Sequence, residues 1–416
     1  MTSLFYTNAR IIDPASGFNT KSSLLVSSSK IAAYGTDIEK PSDATLIDCG
    51  GRILCPGFID MRAHAVDPVA APAGGITTVI LQPDQNTMID TDAVVERIRR
   101  RAEDGGSSRV YPMGTATQRM EGVQLAEIGQ MQQSGAVAFT DCRKSVANPL
   151  VMRRLLEYSG YFDALIVQYP EDASLAAAGV AHEGETATRL GLAGIPSAAE
   201  AIQIERDIRL AEMTNTRIHF SLISARDSVD IIRTAKKRGA KVTCSTAPHY
   251  LMLNDNALEG YRTFAKVMPP LREENDRLAL ISGLADGTID TLVSDHDPKS
   301  ADVKRLPFAQ AAHGIVGFET LLPLALAPVH AEKLDLITML ACLTSTPARI
   351  LGLSTGILKI GAPADIVIFD PDKPRRICAD DLLSSAKNTP FDSLPVQGQV
   401  WQTIVGGKTV FEGTKA

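Results

Sequence analysis

Arg217-Ile218-His219-Phe220, a short apolar and β-branched run, is followed by the amphipathic stretch Ser228–Arg238 and then by Lys241-Val242-Thr243-Cys244-Ser245. Strand, helix and strand in that order form a parallel βαβ unit, whose helical crossover returns the chain to the same edge. The alternation extends in both directions. Ile76–Leu81, Val110–Met113, Ala136–Phe139, Leu165–Gln168 and Thr291–Ser294 read as further strands. Thr91–Ala102, Pro149–Tyr158, Ala198–Glu212 and Arg277–Ala285 read as the helices between them. With the run near Phe58 the strand count is that of a TIM-like (β/α)8 barrel. A doubly wound open sheet is the alternative on the same pattern.

The two ends have a different texture. Ala9-Arg10-Ile11-Ile12 stops at Asp13-Pro14, and Ser23–Val26 with Lys30–Gly35 reads as a hairpin around Ser27-Ser28-Ser29. Ala364–Asp370 is a strand, and Val400–Val405 turns through Gly406-Gly407 into Lys408–Phe411. Residues 1–55 plus 352–416 are therefore expected to form one small β-sandwich built from both chain ends. Residues 56–351 are expected to form the barrel.

The chain has 416 residues, 44% of them hydrophobic and 22% charged, with a net charge of −6. That balance offers no basic face for nucleic acid. No apolar run is long enough for a membrane span. Met1-Thr2-Ser3-Leu4-Phe5 lacks the basic and apolar regions of a leader. Six scattered cysteines without a CxxC pair suit reduced thiols in a cytoplasmic protein. No Ser/His/Asp triad, P-loop or dinucleotide fingerprint is legible.

In a barrel the site lies at the C-terminal strand ends. Here those ends are Arg62/His64, Gln82–Asn86, Asp141, Gln168, Leu222, His249 and Asp295/His296. Several blocks around them share one order: Asn8–Gly17, Pro56–His64, Gly135–Asp141, Glu183-Gly184, Leu190–Pro196, Lys266–Arg272, Gly314–Thr320, Thr346-Pro347-Ala348 and Gly361–Asp365. Together they resemble the dihydroorotase branch of the amidohydrolase superfamily over nearly the whole chain.

The resemblance implies hydrolysis of a cyclic amide by zinc-bound hydroxide, with histidine and carboxylate ligands and an aspartate as proton shuttle. By the same resemblance, the first histidine of the His-x-His pair is Arg62, while His64 survives. Asp141 and Asp295 keep the carboxylate positions. The two remaining histidine positions hold Gln168 and Leu222. Arginine has no lone pair to offer a cation. The substrate positions also depart: Val66 for an arginine, Asp84 for an asparagine, Met268 for an asparagine and Lys299 for a histidine. Asp84 is expected to repel a substrate carboxylate.

These losses predict a catalytically inactive dihydroorotase-like protein of pyrimidine biosynthesis. By family analogy it is expected to be an oligomer, acting as a structural or regulatory partner of aspartate transcarbamoylase, with no cofactor. Asp295 is then vestigial, and Arg62 is expected to neutralise Asp295 or Asp141 in place of the cation. Two alternatives stand beside this. One is an active zinc amidohydrolase whose reduced metal site is His64, Asp141 and Asp295. The other is a binding module that uses the vacant pocket for another small molecule. Finally, only 12 residues separate Ala63 from Ile76, among them Pro68, Pro72, Gly74 and Gly75. The first barrel helix is predicted to be absent or reduced to a turn, leaving that side open or covered by a partner.

Overall fold

The structure, a computed structural model, describes residues 3–413, so Met1 and Thr2 of the stretch read for a leader lie outside it. Five strands come first: β1 (Leu4–Asp13), β2 (Phe18–Ser27), β3 (Lys30–Gly35), β4 (Thr45–Asp48) and β5 (Ile53–Pro56). The barrel follows, with β6 (Phe58–Ala63), β7 (Ile76–Leu81), β8 (Arg109–Pro112) and β9 (Ile166–Gln168). A small side pair is β10 (Ala181–His182) with β11 (Gly194–Ile195). Then come β12 (Ile218–Phe220), β13 (Val242–Thr246) and β14 (Thr291–Leu292), and lastly β15 (Ile366–Arg376), β16 (Pro395–Val405) and β17 (Lys408–Glu412).

Barrel closure is carried by ladders and by single bridges. β6, β7 and β8 pair in parallel, as do β9, β12, β13 and β14. The strand expected at Ala136–Phe139 lies between the two groups: Phe139 bridges Gly114 on one side and Ile166 on the other, and the Val137 and Thr140 amides donate to the Pro112 and Gly114 carbonyls at 3.1 and 3.0 Å. Ala63 bridges His296 and shuts the ring. The open-sheet alternative is thereby excluded.

Helix ends follow local chemistry. Asn148 caps the helix Pro149–Tyr161 by accepting from the Leu150 and Val151 amides, with Pro149 at the first position, where its missing N–H costs nothing. Glu273 and Asp276 form a reciprocal capping box on Glu274–Ala285. Asn215, at φ 53°, ends Ala198–Thr214 in the left-handed region.

Both chain ends meet in one sheet, in the order β17-β16-β15-β5-β1-β2-β3 with β4 on the edge of β1. It folds over as a β-sandwich around Tyr6, Ile11, Leu24, Ile366, Ile368 and Ile404. Alternation along β15 decides which domain each residue serves. Ile366 and Ile368 enter the sandwich core, while Val367 and Phe369 join the barrel core beside Phe58. Arg109 at the start of β8 clasps Asp365 through Nε at 2.7 Å and Nη2 at 3.1 Å.

The abbreviated first crossover is a single turn, Ala70–Ala73. It is covered from within the chain: Thr403 of β16 donates to the Pro72 carbonyl at 2.7 Å. The Phe318 carbonyl presses on Gly74, where a Cβ would lie 2.2 Å away. A groove of about 580 Å³ remains nearby, lined by Val66, Pro68, Arg97 and Arg101 among others.

Candidate active site

β6 brings the first residues to the barrel mouth. Asp60 is fully buried and accepts from the amides of Arg62 at 3.2 Å and Ser294 at 3.0 Å, and from the Ser294 hydroxyl. It thus ties the first strand to the last, and burial pushes its carboxyl up to about 6. Arg62 turns inward. Its Nε donates to Asp295 Oδ1 at 2.8 Å and its Nη1 to Ser221 Oγ at 3.2 Å, while its Nη2 is buried without a partner. The expected contact with Asp295 forms. Asp141 is engaged elsewhere, accepting from the Ala116 and Thr117 amides at 3.1 and 2.9 Å. Burial raises its carboxyl above the ordinary range.

His64, two residues along, places Nδ1 2.7 Å from Asp84 Oδ2 and Nε2 3.6 Å from Asp295 Oδ1. The second distance is too long for a hydrogen bond, and Nε2 has no partner. Asp84 therefore orients a histidine here, instead of simply repelling a substrate. Burial raises its carboxyl, but the hydrogen bond from His64, with the nearby Arg143 and Arg62 charges, brings it down to about 2. Asp295 is likewise held well below the ordinary range, the His64 ring and the Arg62 and Arg143 guanidinium groups outweighing its burial.

The sequence reading did not single out Arg143 or Asp297. Arg143 Nη2 lies 2.9 Å from Asp297 Oδ2, and Lys299 Nζ lies 2.8 Å from Asp297 Oδ1. Burial opposes the Arg143 charge, but Asp295, Asp297 and Asp84 together hold its pKa above the usual arginine value. The available signal was position: Arg143 follows Asp141, and Asp297 follows Asp295, at two strand ends. Arg62, Arg143 and Lys299 thus face Asp84, Asp295 and Asp297, a set of charges balanced by side chains alone.

Leu222 and Gln168 do other work. Leu222 is buried in the barrel core at φ 56°. Gln168 points outward, its Nε2 donating to Asp207 Oδ2 at 2.9 Å on the helix Ala198–Thr214. Cys142 and Asp295 share the left-handed conformation of Leu222, at φ 58° and 49°. For residues with a Cβ that costs on the order of 1–2 kcal/mol each, and such strain collects at functional sites. Of the substrate positions, Val66 is exposed on the groove, Met268 is half-buried, and Lys299 reaches Asp297. His249 packs its ring against Tyr250, with Nε2 unpartnered and its pKa lowered to about 4 by burial.

Zinc, implied by the resemblance, does not fit these side chains. Among the described residues no three His, Cys, Asp or Glu side chains converge as a metal-binding group. The reduced set expected from sequence, His64, Asp141 and Asp295, does not assemble, because Asp141 is spent on the Ala116–Thr117 backbone. The Arg62 guanidinium occupies Oδ1 of Asp295. Zinc needs three or four lone-pair donors in a shell about 2 Å in radius, and a guanidinium contributes none.

Residues 51–228 match the dihydro-orotase-like family model, and residues 173–410 match the amidohydrolase family model. The chain is 42% identical to the dihydroorotase of Geotalea daltonii, covering 98% of this chain and 99% of that protein. The chain belongs to the dihydroorotase family. The dihydroorotase of Syntrophotalea carbinolica is again 42% identical, with the same coverage. Among solved structures, the L-hydantoinase (dihydropyrimidinase) of Arthrobacter aurescens superposes with a TM-score of 0.88 at 26% identity, covering 99% of this chain and 96% of that one. The dihydropyrimidinase of Brevibacillus agri shares the fold at a TM-score of 0.84 and 20% identity, over 99% of this chain and 95% of that one.

These relatives overturn the expected inactive homologue. Family members that match end to end bear the name of the enzyme. The non-catalytic part of the role expected beside aspartate transcarbamoylase, a role read from family analogy, falls with that expectation. No helix among the described residues is long and apolar enough to cross a membrane.

Proposed function

We propose that this member of the dihydroorotase family is an active cyclic-amide hydrolase, opening the ring of an anionic dihydropyrimidine such as dihydroorotate. The observation that carries the reading is identity of 40–42% to proteins named dihydroorotase across 98% of this chain. The site supports it with buried, pre-paired charge at the barrel mouth. Guanidinium groups fixed by carboxylates are poised to hold a substrate anion or a developing oxyanion at little reorganisation cost.

Substrate access is supported on one side. A cavity of about 640 Å³ is lined by Arg262, Lys299, Arg305 and Lys387 with Asp380 and Asp392, and Lys299 is shared with the ion-pair cluster. Six free cysteines suit a cytoplasmic setting.

The test is an assay of dihydroorotate ring opening, and of closure of the ureido acid product, with purified full-length protein. Turnover at an enzymatic rate is expected in both directions. No turnover above the uncatalysed rate, in protein shown to be folded, would sink the reading.

A further inference from the structure

We propose that the two tasks of a catalytic metal are divided here between side chains: His64, oriented by Asp84, is the general base, and Arg62 is the electrophile. The proposal rests on the hydrolase reading above.

The geometry assigns each role. Asp84 Oδ2 lies 2.7 Å from His64 Nδ1, and the His64 side chain is 4% exposed. With Nδ1–H donated to a carboxylate, the neutral ring presents the Nε2 lone pair; an aspartate–histidine dyad fixes tautomer and direction in this way. Nε2 is buried and unpartnered, on the side facing Asp295. Arg62 Nη2 is also buried and unpartnered, although the same guanidinium is anchored through Nε and Nη1. Asp295 connects them, accepting from Arg62 Nε at 2.8 Å and lying 3.6 Å from His64 Nε2. Its Oδ2 is a third unspent atom. Buried polar atoms left unpaired are costly, and here three of them sit on side chains that meet at Asp295.

The step balances. A water oxygen attacks the ring carbonyl carbon, and its proton passes to His64 Nε2 as the C–O bond forms. The carbonyl electrons move onto oxygen, and the oxyanion accepts from Arg62 Nη2. When it collapses, the ring C–N bond breaks and the His64 imidazolium returns its proton to the leaving nitrogen. The new carboxylic acid releases its own proton to solvent. Asp295 remains ionised throughout and positions Arg62. Asp84 acts through His64 and is likewise a positioning residue.

The test uses the full chain stripped with chelator, its metal content measured before assay, with dihydroorotate as substrate and with and without added zinc. Turnover is expected to persist in metal-free protein. His64→Gln is expected to lower kcat by about 100-fold or more, the scale of a lost general base. Asp84→Asn is expected to lower kcat by at least about 10-fold with KM little changed and the unfolding midpoint retained, a split that a merely structural role would not give. Arg62→Lys probes the electrophile while keeping a charge for Asp295, and is expected to lower kcat more than it raises KM. Turnover that appears only with stoichiometric bound zinc overturns this proposal and leaves the hydrolase reading standing. Absence of turnover in every state overturns both. Wild-type kcat in either the His64 or the Asp84 variant overturns the division of roles.

Discussion

Arg62 Nε and Asp295 Oδ1, 233 positions apart in sequence, meet at 2.8 Å with each side chain only 1% exposed. A buried ion pair gives little net stability, but removing one partner leaves a desolvated charge behind. Arg62→Met is therefore expected to cost about 3–5 kcal/mol of folding stability. Asp295→Asn is expected to cost less, because Asn still accepts from Nε and Arg62 keeps Ser221. Urea unfolding of both variants checks the order. Equal, sub-kcal losses would refute the view that Asp295 depends on Arg62.

A second prediction concerns metal. Wild-type protein equilibrated with zinc and then desalted is expected to retain far less than one ion per chain, since no three ligating side chains converge among the described residues. The triple variant Arg62→His, Gln168→His, Leu222→His restores nitrogen donors at three strand ends and is expected to retain more. Elemental analysis decides. Stoichiometric zinc in the wild type would contradict the donor census.

Gly74 tests the short crossover. Its φ of −83° suits any residue, but a Cβ would stand 2.2 Å from the Phe318 carbonyl oxygen. Gly74→Ala is expected to destabilise by about 1–3 kcal/mol, the range for overpacking, visible as a lowered thermal midpoint. A neutral result would mean that the 317–320 loop yields freely.

The domain junction gives a fourth. Asp365 is 1% exposed at its side chain and accepts from Arg109 Nε at 2.7 Å and from the Gly406 amide at 2.7 Å. Asp365→Ala strands those donors and is expected to cost about 1–3 kcal/mol or more. Arg109→Ala, at a side chain 35% exposed, is expected to cost less. The reverse order in chemical denaturation would refute the assignment of Asp365 as the buried anchor.

His219 supplies the pH dependence. Its Nδ1 lies 2.8 Å from Thr243 Oγ1, and burial, with the nearby Lys236 charge, lowers its pKa to about 3. A depressed folded pKa means that the unfolded chain takes up a proton before the native protein does. The stability His219 contributes is thus present above about pH 6.5 and is lost as pH falls toward 3. His219→Gln is expected to narrow its stability gap from wild type between pH 7.5 and about pH 5. An unchanged gap would show that His219 does not titrate between the two states.

Much of the fold was legible because side-chain period is a local property. The runs at Arg217–Phe220 and Lys241–Ser245, with the helix pattern between them, became β12, β13 and the helix Arg226–Lys237. Ser28 and Ser29, at φ 52° and 67°, make the predicted hairpin turn. Ala136–Phe139, read as a strand, takes its place between its neighbours by backbone hydrogen bonds, with β-bridges among the described residues at Phe139.

The sequence by itself determined which residue types stand at the strand ends, and so that Arg62, Gln168 and Leu222 are not metal ligands of the usual kind. Only the tertiary structure decided what the survivors do. It turned Asp141 to a loop backbone, Gln168 to Asp207, and Asp84 to His64. It also brought Arg143 and Lys299 to Asp297. Identity at a position is written in the chain. The partner of a buried charge depends on which strand ends closure of the barrel brings within about 3 Å, and no local pattern encodes that distance.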